Sequence, residues 1–226
     1  MTMRDSRSSS SSVLSWYEFG NRFYHRILYL SMSLYHRRGD TARAARVARK
    51  MLRLNPSDNL GVRNALPLML LSGGEYSAAL RACKYMSKEP NCDGVAILSF
   101  VAFANGDVQR FRSELLASLF RWPALRAFLE DTDATMPKEE PGHRTVIPDY
   151  EFLEEFARPA YFAVPGLREA ALSLIRQKAV VDAEAHLRRL WDSIRSQGGS
   201  IEHAATRRDE WESERNRYVV ELVGQI

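Results

Sequence analysis

The chain has 226 residues, of which 45% are hydrophobic and 27% charged, with a formal net charge of +4 at pH 7. These values lie near the averages of globular proteins and exclude a collagen-like chain, a fully disordered chain and a disulfide-stabilised miniprotein. Two cysteines, Cys83 and Cys92, are too few for a four-ligand zinc site, and the apolar runs 65–71 and 95–104 are shorter than the roughly 20 residues of a membrane span. We therefore expect a cytoplasmic protein with a large core and with neither cofactor nor metal.

The first residues read MTMRDSRSSSSS and include few apolar side chains. Because such a segment buries too little surface to offset the entropy of ordering, we predict a disordered tail over residues 1–15. Its arginine- and serine-rich, acid-poor composition is also typical of transit peptides and bacterial export signals. Import into an organelle or export is therefore the alternative to a cytoplasmic location.

Between residues 16 and 129 the apolar residues recur at helical spacing, first in a helix that is apolar on most of its circumference. Glycine then alternates with proline along the chain, in the order Gly39, Pro56, Gly74, Pro90, Gly106 and Pro123. Glycine is common just after a helix and proline ends one, so each glycine marks the turn inside a helical hairpin and each proline marks its end. Three hairpins are predicted, and Pro67 is expected to interrupt the first helix of the second.

The spacing of these turns is regular. The three glycines are 35 and 32 residues apart, and the three prolines are 34 and 33 residues apart. A period near 34 residues is that of the tetratricopeptide repeat, in which each pair of antiparallel helices stacks on the next. The predicted fold class is therefore all-α, a tetratricopeptide-like solenoid of about three helical hairpins with C-terminal capping helices.

The stretch LNPSDNLGVR at 54–63 carries a more particular resemblance. It is similar to the LNPxDNxGxR signature of a tetratricopeptide-like family that includes suppressor of tumorigenicity 7 and shorter bacterial and plant proteins. The Gly106-Asp107 pair and the segment 122–129 lie where that family has its third-helix glycine and its NPxVPxYLL segment. The resemblance implies a helical repeat scaffold and carries over no catalytic residue. The membrane spans of the eukaryotic members are missing here.

The signature residues also have a physical interpretation that needs no family. Pro56 ends one helix, Asp58 or Asn59 accepts hydrogen bonds from the free amides of the next, and Gly61 lets that helix approach its neighbour. Arg63 is expected to pair with Asp58 or to reach carbonyls of the preceding helix. The positions with this predicted structural role are Asn55, Pro56, Asp58, Asn59, Gly61 and Arg63. A ligand-binding role for Asp58, Asn59 and Arg63 is the alternative.

The chain changes character after residue 129. Residues 130–147 are polar and contain prolines and a glycine, so we predict a loop there. Residues 148–226 are predicted to form a helical region, with an aromatic helix that Pro159 interrupts, a long helix from Leu167 to Ile194 and a last helix after residue 199. The two long helices should form an antiparallel hairpin, which caps the solenoid or binds a partner helix.

No catalytic or nucleotide-binding motif is present, so we predict a protein that is not an enzyme. The predicted function is a scaffold that binds a peptide or helix of a partner protein in the groove lined by the first helix of each hairpin. The predicted groove residues are Tyr29, Asn64, Leu68, Leu71, Phe100 and Phe103. Because an apolar floor is costly to leave in water, either a partner or the chain's own helix near 150–163 should cover it.

Binding of nucleic acid or another polyanion is the alternative function. The sequence pI is about 9.2, and one predicted helix carries a continuous basic stripe. The residues of this polyanion patch are Arg43, Arg46, Lys50 and Arg53. The net charge of only +4 and the lack of aromatic residues among these arginines argue against nucleic acid.

Overall fold

The computed structural model describes residues 13–84, 86, 92–122, 124–131, 152–196 and 201–225, without the side chains of 92–95, 124, 195 and 201–205. In this part of the chain every regular element is a helix, which confirms the predicted all-α class. Several predicted features lie outside these residues: most of the N-terminal tail and of the polar loop, the helix stops at Pro90 and Pro123, and the turn at 197–200.

Six helices form three consecutive hairpins in the first half of the chain. They are α1 (Phe19–Arg37), α2 (Thr41–Leu54), α3 (Val62–Ser72), α4 (Tyr76–Cys83), α5 (Cys92–Ala104) and α6 (Val108–Arg121). Gly39, Gly74 and Gly106 lie in the three turns with φ of 74°, 74° and 80°, in the left-handed region that favours glycine. Asp40 and Asp107 cap α2 and α6 by accepting hydrogen bonds of 3.0 Å from the amides three residues further on. The three glycines therefore lie in the turns predicted for them, between helices that pack in pairs.

Five further helices follow within the described ranges. After α7 (Ala124–Glu130), a π-helical turn (Leu153–Ala157) leads into α8 (Arg158–Ala163), α9 (Leu167–Ile175), α10 (Lys178–Ser196) and α11 (Ile201–Gln225). The last two pack antiparallel, since the Trp191 and Trp211 ring centroids are 5.3 Å apart and Trp211 Nε1 donates to the Leu187 carbonyl at 3.1 Å. Helix α11 also packs on α6, so this hairpin covers the outer side of the third hairpin.

The core is centred on α3. This helix packs against α2, α4, α5 and α8, and eight of its 11 residues are buried. Pro67 lies within it, and the helix continues past the proline, so the predicted interruption is wrong. Close packing on four sides stabilises the helix more than the loss of one backbone hydrogen bond weakens it.

The long helix predicted from Leu167 to Ile194 is also wrong, because the structure divides it into α9 and α10 at residues 176–177. The corner leaves carbonyls free at the end of α9, and Arg126 Nη2 of α7 donates to the Ile175 carbonyl at 2.9 Å. The same Arg126 guanidinium binds the Glu184 carboxylate of α10 at 2.7 Å. The side chain that holds the corner is thus 49 residues before Ile175 and 58 residues before Glu184.

The turn between α2 and α3, which contains the LNPSDNLGVR stretch, is a capping structure. The Asp58 carboxylate accepts hydrogen bonds from the amides of Val62 and Arg63, both at 2.8 Å, as expected. The Arg63 guanidinium donates to the Pro56 carbonyl, and Asn55 contacts Asn59 through a hydrogen bond of 3.4 Å. Burial raises the pKa of Asp58, and the hydrogen bonds from the Val62 and Arg63 amides counteract the rise. The signature side chains thus bind one another and the backbone.

The role of Gly61 differs from the predicted one. A Cβ atom at this position would meet no atom within 4 Å, so the glycine does not serve a close approach of two helices. Its φ is 67°, which a residue with a side chain rarely adopts. Gly61 is therefore needed for its backbone conformation.

We expect Gly61→Ala to lower the free energy of unfolding by about 1–2 kcal/mol, because alanine is strained at positive φ. Gly20→Ala is the matched control, since Gly20 lies in the first turn of α1 and a Cβ there also meets nothing within 4 Å. Without a positive φ, this variant should be neutral or slightly stabilising. Urea denaturation measures both, and equal losses at the two positions would contradict the argument.

Candidate functional site

The predicted groove residues lie together, but three of them are completely buried. Leu68, Leu71 and Phe100 have 0% exposure, and the side chains of Tyr29, Asn64 and Phe103 are partly buried. The chain itself covers them, because the π-helical turn and α8 both pack on α3. The apolar floor is therefore core, and the expectation that a partner occupies this groove does not fit the structure.

Aromatic contacts hold the π-helical turn and α8 over the groove residues. The Tyr161 ring of α8 stacks on Phe100 with centroids 5.5 Å apart, and Phe156 of the π-helical turn contacts Tyr29 edge-on at 6.5 Å. Both Tyr161 and Phe156 have 0% exposure, and the Tyr161 hydroxyl donates to the Leu129 carbonyl at 3.1 Å. This segment is thus packed as tightly as the rest of the core.

The π-helical turn carries the chain past Pro159. Proline has no amide hydrogen, so it cannot donate to the carbonyl of Glu155 four residues earlier. That carbonyl instead accepts a hydrogen bond of 3.1 Å from His36 Nε2 of α1, while the Arg158 amide donates to the Leu153 carbonyl in π-helical register. The α-helical pattern is interrupted just before Pro159, as predicted, but the chain stays helical because a wider π-helical turn and a partner from α1 replace the missing bond.

The Glu155 side chain binds α1 as well. Its carboxylate accepts hydrogen bonds from the Ser33 hydroxyl and, at 3.0 Å, from Arg37 Nη2. The His36 ring stacks on Phe156 with centroids 5.3 Å apart. Ser33, His36 and Glu155 lie together, but they do not form a nucleophilic triad. The Ser33 hydroxyl donates to the Glu155 carboxylate rather than to the histidine, and His36 Nε2 donates to the Glu155 carbonyl.

The opposite face of α1 is apolar and faces solvent. Five large side chains form a row that we call the α1 seam: Phe19 (86% exposed), Phe23 (71%), Ile27 (43%), Leu30 (61%) and Leu34 (54%). From Phe23 onward their spacing is 4, 3 and 4 residues, the pattern with which helices pair in coiled coils. The seam spans about 22 Å at 1.5 Å per residue.

Basic side chains border the α1 seam on the side of α2. Lys50 Nζ donates to the Tyr24 hydroxyl at 2.9 Å, and the Arg43 guanidinium lies 5.8 Å from the centroid of Tyr35. Every residue of the predicted polyanion patch is exposed: Arg43, Arg46, Lys50 and Arg53. Among the described residues, Arg43 is the member of this patch that forms an ion pair, with Asp40 at 3.3 Å.

The structure therefore brings the predicted basic patch beside an apolar surface that the sequence analysis did not single out. The sequence did show that α1 is apolar on most of its circumference. That pattern is typical of a helix that is buried on all sides, so it did not point to an exposed surface. His25, Met32 and His36 are buried on the inner face, and no described element covers the outer face.

Within the described ranges, none of the helices combines the length and the apolarity that crossing a bilayer requires. The same residues contain no group of three histidine, cysteine or acidic side chains placed to hold a metal ion. No protein-family model, curated protein or solved structure matches this chain.

We expect Phe100→Ser to lower the free energy of unfolding by about 3–5 kcal/mol, because the ring is fully buried against Tyr161. Phe23→Ser is the matched control, since that ring is 71% exposed, and it should change stability by no more than about 0.5 kcal/mol. Thermal and urea denaturation test both variants. A small loss for Phe100→Ser would show that the groove is open in solution.

We expect the free energy of unfolding to decrease on acidification because of His36. Burial lowers the pKa of His36 from its usual 6.5, and the nearby Glu155 opposes this only in part. The unfolded chain therefore binds a proton more readily, so this contribution to stability is full above pH 6.5 and is lost as the pH falls below it.

The variant His36→Gln keeps a donor for the Glu155 carbonyl and removes the titrating group. We expect it to flatten the decline in the free energy of unfolding between about pH 7.5 and pH 5.5. Urea titrations at several pH values measure this slope. Parallel curves for the wild type and His36→Gln would contradict a role for His36.

Proposed function

We propose that this protein is a non-catalytic scaffold that docks an apolar helix of a partner protein on the α1 seam. The exposure of this row carries the proposal, since a ring that is 71% exposed at Phe23 and a leucine that is 61% exposed at Leu30 are costly to leave in water. Contiguous exposed apolar patches mark interaction surfaces on proteins.

The spacing of the α1 seam favours a helix as the occupant. Side chains at 3- and 4-residue intervals form one stripe, and a second helix inserts its own stripe between them. The seam lies on a helix of 19 residues whose inner face is buried, so the surface is already ordered before binding. A preformed surface loses less conformational entropy on binding than a flexible one.

We further propose that the scaffold is a tetratricopeptide-like solenoid, related to the family that the LNPSDNLGVR stretch resembles. The three hairpins with turn glycines 35 and 32 residues apart support this assignment. In this view the chain's own π-helical turn and α8 fill the concave groove. A partner would then use the outer face of the first hairpin.

Polyanion binding through the basic patch is the second candidate function. The observation that favours it is the exposure of aromatic residues at the start of the same hairpin, with Phe19 at the first position of α1 86% exposed and Tyr17 in the preceding turn 76% exposed. Single-stranded nucleic acids bind by stacking of bases on aromatic rings beside cations. Retention on heparin and on single-stranded DNA, measured against salt, tests this candidate.

The variant Phe23→Ser with Leu30→Ser tests the docking proposal. We expect an unchanged melting temperature. We also expect at least a tenfold loss of affinity, measured by fluorescence anisotropy, for a neutral amphipathic peptide with leucine at the two core-facing positions of each heptad. Val181→Ser with Val220→Ser is the control, because both valines are exposed on the α10–α11 hairpin. Equal binding by the wild type and by the seam variant would refute the proposal.

A further inference from the structure

Cations border the α1 seam on both of its long edges. Lys50 and Arg43 lie along the edge next to α2, as their contacts with Tyr24 and Tyr35 show. Arg26 and Arg37 lie on the opposite edge, where helical spacing places them on the side of Ser33. The seam is therefore an apolar stripe between two basic edges.

Few carboxylates balance these charges. Within the described residues, Arg37 pairs with Glu155 and Arg43 pairs with Asp40. The same residues include no ion pair for Arg26, Arg46 or Lys50, and all three side chains are exposed. An excess of positive charge therefore remains along the seam.

This excess disfavours a second copy of the chain as the occupant. A two-fold dimer uses the same patch on both subunits, so each basic edge would face its own counterpart. Like charges opposed in this way weaken pairing and slow association. The apolar stripe suits a helix, and the edges suit a helix of opposite charge.

We propose that the occupant of the α1 seam is an acidic amphipathic helix of another protein. Its apolar residues would follow the 3- and 4-residue spacing of the seam, and aspartate or glutamate on its flanks would pair with Arg26 and Lys50. This inference rests on the proposed docking function and specifies the partner's charge. A bilayer or a nucleic acid carries no apolar side chains at 3- and 4-residue intervals, so the spacing of the seam favours a helix.

Three peptides with identical leucine positions test the partner's charge against the full chain. They have glutamate, glutamine or lysine at the positions that flank the leucines, and fluorescence anisotropy measures their affinities at about 50 and 300 mM NaCl. We expect the glutamate peptide to bind about tenfold more tightly than the glutamine peptide and the lysine peptide to bind most weakly. The difference should shrink at the higher salt concentration.

Charge-reversal variants provide the matched test on the protein. Arg26→Glu with Lys50→Glu should remove the preference for the glutamate peptide and strengthen binding of the lysine peptide. Arg188→Glu with Arg189→Glu is the control, because these exposed residues lie on α10 and the net charge changes equally. Equal effects of the two variants would overturn the inference, since the response would then follow net charge alone.

The remaining outcomes separate the two proposals. Equal binding of the three peptides, lost in Phe23→Ser with Leu30→Ser, would overturn the acidic partner and leave the docking function intact. No binding of any peptide would overturn both. Sedimentation equilibrium that shows a dimer dissociated by the seam variant would overturn the inference in favour of self-association. Binding to phosphatidylserine vesicles or single-stranded DNA, without binding to the glutamate peptide, would also overturn it.

Discussion

The missing amide hydrogen of Pro159 is the constraint on which the arrangement of this protein depends. It frees the Glu155 carbonyl, and His36 of α1 supplies the donor at 3.1 Å, while the Glu155 carboxylate binds Ser33 and Arg37 on the same helix. These contacts join a segment about two thirds of the way along the chain to its first helix. They hold the π-helical turn and α8 against α3, where Phe156 and Tyr161 complete the core.

This docking divides α1 into two faces with different roles. On the inner face the Ser33 hydroxyl and His36 Nε2 are buried and both bind Glu155. The outer face keeps its apolar row in solvent, bordered by the cations of α2. Five of the large apolar side chains that are exposed on the described helices lie in this outer row, and the proposed binding function rests on their exposure.

Local features of the fold were predictable because they depend on a few neighbouring residues. A helix stops where glycine adopts a positive φ, as at Gly39, Gly74 and Gly106, and the next helix starts where aspartate caps its amides, as at Asp40 and Asp107. The errors share another origin. Pro67 was expected to interrupt α3, which continues because distant elements pack around it, and at Pro159 the chain stays helical because His36 of α1 binds the freed carbonyl.

The sequence by itself determined that the chain is all-α, where its hairpins turn, that Asp58 or Asn59 caps α3 and which residues form a basic stripe on α2. These features arise from backbone conformation and helical spacing, which act over a few residues. Only the tertiary structure decided which apolar faces are buried. The sequence shows equal hydrophobicity at Phe100 and Phe23, yet one has 0% exposure under Tyr161 and the other 71% exposure in the seam. The difference comes from contacts between segments that are distant in sequence, such as Tyr161 on Phe100 and Glu155 on α1, and no local pattern encodes such contacts.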